Sequence, residues 1–224
     1  MSSREDEFCQ ARIAFQGRIV ADATHEIQNH FAVIKEYKGL ISDLLQSKPN
    51  DMDSCVKRCR EISGNINERA RLAAEMVETL NRFTHRGDVA VSRFRVEQVV
   101  EDLVSLMQRS ASRKRITLEA AHGRKVPEVA NDPSLIQFLV YSLIAPIVEA
   151  LPEEGRIRLS TQRGKGKMPE ITLASEGGDA DLVEQELMAP ELLSSCLDRL
   201  QGSYLVEDAG RKRPKILLSI TSLS

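Results

Sequence analysis

The sequence predicts an α+β fold in which a long antiparallel helical hairpin precedes an α/β sandwich. In the first segment, apolar residues recur mostly at intervals of three, four or seven, the period of one helix face. The run Ser47-Lys48-Pro49-Asn50-Asp51 then breaks the pattern with a proline and turn formers. After His85-Arg86-Gly87-Asp88 the pattern changes to short apolar strands mixed with helices, which is typical of a two-layer domain.

The hairpin is predicted from two amphipathic helices. The first covers about residues 5–46, and its apolar stripe consists of Phe8, Phe15, Ile19, Ala23, Ile27, Phe31, Ile34, Ile41 and Leu45. The second, capped by Asp53 or Ser54, is predicted to run to about Thr84. A single hairpin leaves apolar stripes uncovered, so we expect residues 1–87 to form a four-helix bundle as a homodimer.

Residues 88–224 are predicted to form the α+β domain. The expected elements are a strand at 91–95, a helix at 96–110, a strand at 116–120, a helix at 134–151, strands at 156–161 and 170–174, a helix at 190–201, and a hairpin of 203–206 with 215–221. Asp132 and Pro133 are expected to begin the apolar helix, as its cap and its first-turn proline.

Composition disfavours several classes of partner. The chain has 224 residues, 42% of them hydrophobic, which is enough to bury a core. It has no Trp, 4% aromatic residues and a net charge of −2, so no nucleic-acid partner is expected. No apolar stretch approaches the roughly 20 residues of a membrane helix, and the polar start is not a signal peptide, so no membrane partner is expected. Its four cysteines form no CxxC pair, which favours a cytoplasmic protein with reduced thiols.

His25 is the principal candidate for chemistry. At about 100° per residue it lies opposite Ala23 and Ile27, so it is predicted to point to solvent. An imidazole titrates near about pH 6.5 and is largely neutral at pH 7, which suits nucleophilic phosphoryl transfer. We expect Glu26 to hydrogen-bond one ring nitrogen while the other attacks phosphorus. Asn29, one turn further on, is expected to position the phosphoryl group or a water.

The run His25-Glu26-Ile27-Gln28-Asn29-His30-Phe31 resembles the phosphoacceptor box His-Glu-x-x-Asn-Pro-Leu of sensor histidine kinases. The hairpin, the segment Leu80-Asn81-Arg82-Phe83-Thr84 and the order of later elements resemble the same family, from about residue 10 to residue 221. The resemblance implies a dimerising hairpin with His25 as phosphoacceptor, followed by an ATPase-like α/β sandwich. His30 replaces the family's helix-bending proline, so a straighter first helix is expected.

The nucleotide-binding motifs of that family are altered here. Ser142 stands at the first position of its Asn-rich box, and Pro146 stands where an asparagine holds magnesium. Ser175 replaces the aspartate that reads adenine, and Asp179 replaces a glycine. The segment 181–190, where the family has a Gly-rich lid, is acidic and has no glycine. ATP binding is therefore predicted to be lost, and the α/β sandwich is predicted to be degenerate.

This combination resembles the dimeric histidine phosphotransferases of bacterial phosphorelays, which look like kinases that kept the bundle and lost ATP binding. The resemblance implies that His25, with Glu26 and Asn29, exchanges a phosphoryl group with aspartates of response-regulator receiver domains. Magnesium would come from the receiver, so no cofactor or metal site is expected in this chain.

Three other functions stay open. The pattern Glu26-x-x-Asn29 resembles the phosphatase motif of kinase bundles, in which an amide orients a water onto phosphoaspartate. A non-catalytic scaffold would bind a kinase or a regulator through the bundle. An ATP-dependent histidine kinase would require a displaced nucleotide pocket.

Overall fold

The structure, a computed structural model, describes residues 2–47, 51–123, 125–164, 168–176, 190–207 and 215–223. The chain begins with two long helices, α1 (Ser2–Gln46) and α2 (Met52–His85). At one end of the pair, Cys55 Sγ lies 3.9 Å from the carbonyl oxygen of Leu44. At the other end, the rings of Phe15 and Phe83 lie 5.5 Å apart. The two helices are therefore antiparallel, as the sequence predicts.

The start of α2 differs from the prediction. The cap is Asp51, not Asp53 or Ser54: its Oδ1 accepts hydrogen bonds from the backbone N–H of Asp53 at 3.1 Å and of Ser54 at 3.2 Å. The carboxylate of Asp51 binds the backbone N–H groups at the start of the helix, which have no partner within the helix itself. The helix therefore begins earlier than expected. Residues 48–50 of the predicted turn lie outside the described part of the chain.

The second half contains the predicted succession of helices and strands. They are β1 (Ser92–Phe94), α3 (Val96–Arg113), β2 (Thr117–His122), β3 (Val129–Asn131), α4 (Pro133–Ala150), β4 (Arg156–Arg163), β5 (Pro169–Glu176), α5 (Pro190–Leu200), β6 (Ser203–Glu207) and β7 (Lys215–Ser219). Asp132 caps α4 as predicted, because its Oδ1 accepts from the N–H of Leu135 at 2.9 Å. The α+β fold class is confirmed.

The strands form two sheets. The larger has five strands in the order β2-β4-β5-β7-β6, with β2 and β4 parallel and the other neighbours antiparallel. The smaller pairs β1 with β3, antiparallel. β3 is absent from the sequence prediction because three residues beside an Asn-Asp-Pro turn are too short to show a strand period. Along β5, buried and partly exposed residues alternate, so one face of the sheet packs on the helices.

Helix α4 lies at the centre of the core. This helix of 18 residues is long and apolar enough to cross a membrane by length and composition alone, contrary to the expectation that no stretch comes close. Of that stretch, 67% is buried inside the fold, and buried core helices pass the same test. Ile136, Leu143, Ile144 and Ile147 have 0% exposure and belong to the cluster that joins α3, α4 and the sheet. This burial accounts for the predominantly apolar sequence of α4.

The predicted apolar stripe of α1 has two different partners. Phe8, Phe15, Ile19 and Ala23 are 1–4% exposed and belong to the same core cluster as α3, α4 and the sheet. The sequence predicts that a second hairpin covers these residues. That expectation is wrong for the N-terminal half of the stripe, because the α+β domain covers it within the chain. Further along, Phe31 is 59% exposed. Since the hairpin and the α+β domain share a core, the division into 1–87 and 88–224 stays a prediction.

Candidate functional site

His25 lies in the middle of α1 and is exposed, as predicted. Ala23, which the helix places on the opposite side, is 1% exposed and packs in the core. Among the described residues, His25 makes no hydrogen bond or ion pair with a side chain. Both of its ring nitrogens are therefore available to a partner.

The other three histidines have partners. His30 is 7% exposed, and its Nε2 lies 3.9 Å from Glu26 Oε1. His85 Nδ1 lies 2.7 Å from Asp88 Oδ2 at the end of α2. His122 lies at the end of β2, where its two ring nitrogens contact Thr161 Oγ1 at 2.7 Å and Glu101 Oε1 at 2.9 Å. Of these four histidines, all of which the structure describes, His25 is thus the one with neither ring nitrogen in a side-chain contact.

Glu26 points away from His25. Its Oε2 accepts from the Asn29 side-chain amide at 3.4 Å and lies 3.8 Å from Nη1 of Arg109, a residue of α3. Its other oxygen faces His30. Within the described part of the chain no hydrogen bond joins Glu26 to His25, so the expected ring-orienting contact is absent from this conformation. Glu26 and Asn29 form a pair beside His25, one that contacts the α+β domain.

The pair opens onto a cleft between α1, α2 and α3, which we call the box cleft. Its volume is about 710 Å³. Its wall carries charges of both signs, from Glu26, His30, Glu75, Glu78, Arg82, Arg109 and Arg113. His25 does not line this cleft. The segment 25–31 therefore presents two surfaces, an outer one with His25 and an inner one, facing the box cleft, with Glu26 and His30.

Polar contacts at two places hold α3 against the hairpin, one near His25 and one at the end of α2. Ser110 Oγ donates to Asp22 Oδ2 at 2.7 Å, three residues before His25. At the end of α2, Arg82 Nη2 and Arg86 Nη2 donate to the 6%-exposed carboxylate of Asp102, at 2.8 and 2.5 Å. The hydrogen bond to Asp102 raises the pKa of Arg82. Because Asp102 is buried, both arginines fix the end of α2 to α3.

Ser142 and Pro146, the two positions that the sequence resemblance assigns to the Asn-rich box, lie on α4. Ser142 and Pro146 line a second cleft, of about 720 Å³, whose opposite wall is α1, with Phe15 and Arg18. A hydrogen bond with Tyr141 is the main cause that raises the pKa of Arg18. Pro146 lies inside the continuous helix α4 and leaves one backbone hydrogen bond unmade, because it has no N–H to donate to the carbonyl of Ser142.

Ser175, at the position of the adenine-reading aspartate, is 1% exposed on β5, and its Oγ has no hydrogen-bond partner. Asp179 and the lid segment up to residue 189 lie outside the described residues. In the part of the chain that is described, no group of three or more His, Cys, Asp or Glu side chains could hold a metal ion.

No protein-family model matches this sequence, and no curated protein matches it. Solved structures do match. The catalytic domain of the histidine kinase ThkA, in a nucleotide-free crystal form, superposes with a TM-score of 0.50 at 14% identity, over 60% of this chain and 97% of that domain. The chain has a histidine-kinase-like fold.

A second similar structure is the histidine kinase AdeS of Acinetobacter baumannii. It has 14% identity and a TM-score of 0.49, and the match covers 89% of this chain and 98% of AdeS. ThkA in complex with the response regulator TrrA matches 99% of this chain and 66% of that chain, at 16% identity and a TM-score of 0.47.

The histidine-kinase-like fold combines the long N-terminal helices with the α/β sandwich, the arrangement predicted from the sequence. The assignment of His25, Glu26 and Asn29 as the site stays a prediction from the sequence, which did not include Arg109, the residue that reaches Glu26 from α3. The signal for Arg109 is weak, because arginine on an amphipathic helix is an ordinary solvent-facing residue. Only the docking of α3 on α1 shows the contact.

Proposed function

We propose that this protein is a histidine phosphotransferase that exchanges phosphoryl groups between receiver-domain aspartates at His25, without ATP-dependent autophosphorylation. The observation that carries the proposal is the exposed His25, free of partners among the described residues, on the long helix of a histidine-kinase-like fold.

The step that the site supports is an in-line displacement at phosphorus. A lone pair of a neutral imidazole nitrogen of His25 forms the N–P bond while the P–O bond to the receiver's aspartate breaks. The aspartate leaves as a carboxylate, and the other ring nitrogen of His25 keeps its proton. The reverse displacement returns the phosphoryl group to a second receiver. In either direction the magnesium ion is the receiver's.

The second part of the proposal is the loss of ATP chemistry. Pro146 has no side-chain atom that could bind a metal, and the cleft beside it is walled by α1. Ser175 is buried on β5 and lines none of the principal clefts of the described chain. These features favour transfer over autophosphorylation, because neither position offers what the nucleotide or its magnesium requires.

The proposed assembly is a homodimer that acts in the cytoplasm. Several apolar side chains of the hairpin are exposed in the single chain: Ile13 by 68%, Phe31 by 59%, Leu40 by 49%, Leu45 by 61%, Val56 by 41% and Val77 by 43%. A second hairpin would cover such a set in a four-helix bundle. The exposed His25 would remain on the outside of that bundle.

A receiver domain labelled with radioactive phosphate on its aspartate tests the proposal. Mixed without ATP, the wild-type protein is expected to take up acid-labile label, and His25→Ala is expected to take up none. His85→Ala is the matched control, because its ring is also exposed on this hairpin, by 75%, and should leave transfer unchanged. Label retained by His25→Ala, or uptake that needs ATP, would contradict the proposal.

A phosphatase is the second candidate, and the Asn29–Glu26 hydrogen bond favours it. Here Asn29 would hold a water against the receiver's aspartyl phosphate, and His25 would be dispensable. Asn29→Ala would then abolish release of inorganic phosphate, whereas His25→Ala would retain it. A scaffold would show neither reaction and would bind the receiver equally well as wild type or as either variant.

A further inference from the structure

We infer that Arg109 is a positioning residue for hydrolysis of a receiver's aspartyl phosphate, acting through Glu26 on the amide of Asn29. The inference rests on the proposed interaction with receivers and gives the phosphatase activity a specific structural support. It also assigns a role in the reaction to the α+β domain, through α3.

The first step of the argument is the orientation of the Asn29 amide. An ionised carboxylate can only accept hydrogen bonds, so the NH₂ group of Asn29 must face Glu26, at 3.4 Å. The reverse orientation would place the amide oxygen against a negative charge. Glu26 therefore leaves Oδ1 of Asn29 free to accept a hydrogen bond from a water.

The second step is the location of that water. Residues four apart on a helix are neighbours on one face, so Asn29 lies one turn from His25 on the exposed side of α1. A phosphoryl group brought to His25 is then also within reach of a water held by Asn29. The water's oxygen would form a new P–O bond as the bond to the aspartate oxygen breaks. The products are inorganic phosphate and the aspartate carboxylate, and the water's proton passes to solvent.

The third step is what holds Glu26. Its carboxylate has two cationic or polar neighbours besides Asn29, namely Arg109 Nη1 at 3.8 Å and His30 Nε2 at 3.9 Å. Nη1 of Arg109 is buried and has no hydrogen-bond partner, so a closer approach of the Glu26 carboxylate would give this nitrogen a hydrogen bond. Of the two other arginines that line the cleft, Arg82 is bound to Asp102, and Arg113 lies one turn further along α3.

Arg109 is the cation that reaches Glu26 from α3. Glu75 and Glu78 of α2 line the same cleft, and Glu75 is paired with Arg71. With a neutral side chain at position 109, Glu26 would lose its cationic neighbour on α3 and would turn toward solvent. The Asn29 amide would then lose the acceptor that fixes its orientation.

The experiment uses His25→Ala as a background, so that hydrolysis is measured without transfer. Arg109→Met in this background is expected to slow phosphate release from the labelled receiver about 1.5- to fivefold, the range for a partly exposed ion pair. Arg109→Lys is expected to restore most of the rate. In the protein that keeps His25, Arg109→Met should leave the rate of label transfer to His25 unchanged. A merely structural defect would slow that transfer as well.

The matched control is Arg113→Met, one turn further on α3 and in the same cleft, which is expected to leave hydrolysis unchanged. Combined with Glu26→Gln, Arg109→Met should have no additional effect, because both residues act through one contact. Full additivity of the two variants would overturn the inference.

The outcomes separate the inference from the function on which it rests. If the wild-type protein neither accepts nor releases phosphate from any receiver, the proposed function fails and the inference fails with it. If transfer to His25 occurs but His25→Ala releases no phosphate, or releases it at an unchanged rate with Arg109→Met, the inference alone is overturned.

Discussion

Replacing Phe15 by alanine tests whether α1 and the α+β domain form one cooperative unit. Phe15 is 4% exposed. Its ring centroid lies 5.5 Å from that of Phe83 on α2. On α4, the ring centroids of Phe138 and Tyr141 lie at 5.7 and 4.6 Å. One side chain thus joins three helices, and its removal leaves a cavity where they meet.

A buried phenylalanine truncated to alanine costs about 3–5 kcal/mol, and the aromatic contacts place Phe15 in the upper part of that range. We therefore expect a loss of about 4 kcal/mol, against a typical total stability of about 5–15 kcal/mol. At about 2–4 °C per kcal/mol for a chain of this size, the melting temperature should fall by about 8–16 °C.

The assay is guanidinium unfolding followed by far-UV circular dichroism and by tyrosine fluorescence, since the chain has no Trp. Wild type and Phe15→Ala should each show one transition that coincides for both probes. Ile13→Ala is the control, because Ile13 is 68% exposed on the same helix and should change stability by less than about 0.5 kcal/mol. A loss below about 1 kcal/mol for Phe15→Ala, or two separate transitions, would refute the shared core.

Three further predictions concern the ion pairs of Asp102, the thiols and the dimer. Asp102→Ala should lower the free energy of unfolding by about 3 kcal/mol in a denaturant titration, because it leaves the 12%-exposed Arg86 without its carboxylate partner. A loss under about 0.5 kcal/mol would contradict the role of these ion pairs in fixing α2 to α3. Burial raises the pKa of the Cys196 thiol to about 12. At pH 8 a disulfide reagent should therefore label the exposed Cys9 in seconds to minutes and Cys196 only after denaturation. Equal labelling rates would count against the packing of α5. Phe31→Asp should weaken self-association about 10- to 100-fold in sedimentation equilibrium, because the side chain is 59% exposed on the proposed dimer face; an unchanged dissociation constant would exclude that face.

Apart from the three-residue strand β3, the elements were predictable because each carries a local signal. The helical period gives α1 and α2 nearly to the residue, and the Asp132-Pro133 pair marks the start of α4. The exposure of His25 follows from the same period, because Ala23 is buried on the opposite side. These features depend on neighbours within one or two turns.

The contacts of the site were not predictable, because they depend on distant pairs. Ser110 and Asp22 lie 88 residues apart in sequence, and no local pattern announces their hydrogen bond. Sequence reasoning placed the Glu26 carboxylate on His25, whereas in the structure it lies beside Asn29, His30 and the distant Arg109. The two roles of the α1 stripe were also hidden, since an apolar stripe does not reveal which element covers it.

The most direct test of the central claim is to locate the phosphate on the protein. After incubation with a phosphorylated receiver and without ATP, the protein would be digested at alkaline pH and its peptides analysed by mass spectrometry. The account predicts a phosphoramidate on the peptide that contains His25, absent when His25→Ala is treated identically. A phosphate on another residue, or none on His25 unless ATP is supplied, would contradict it.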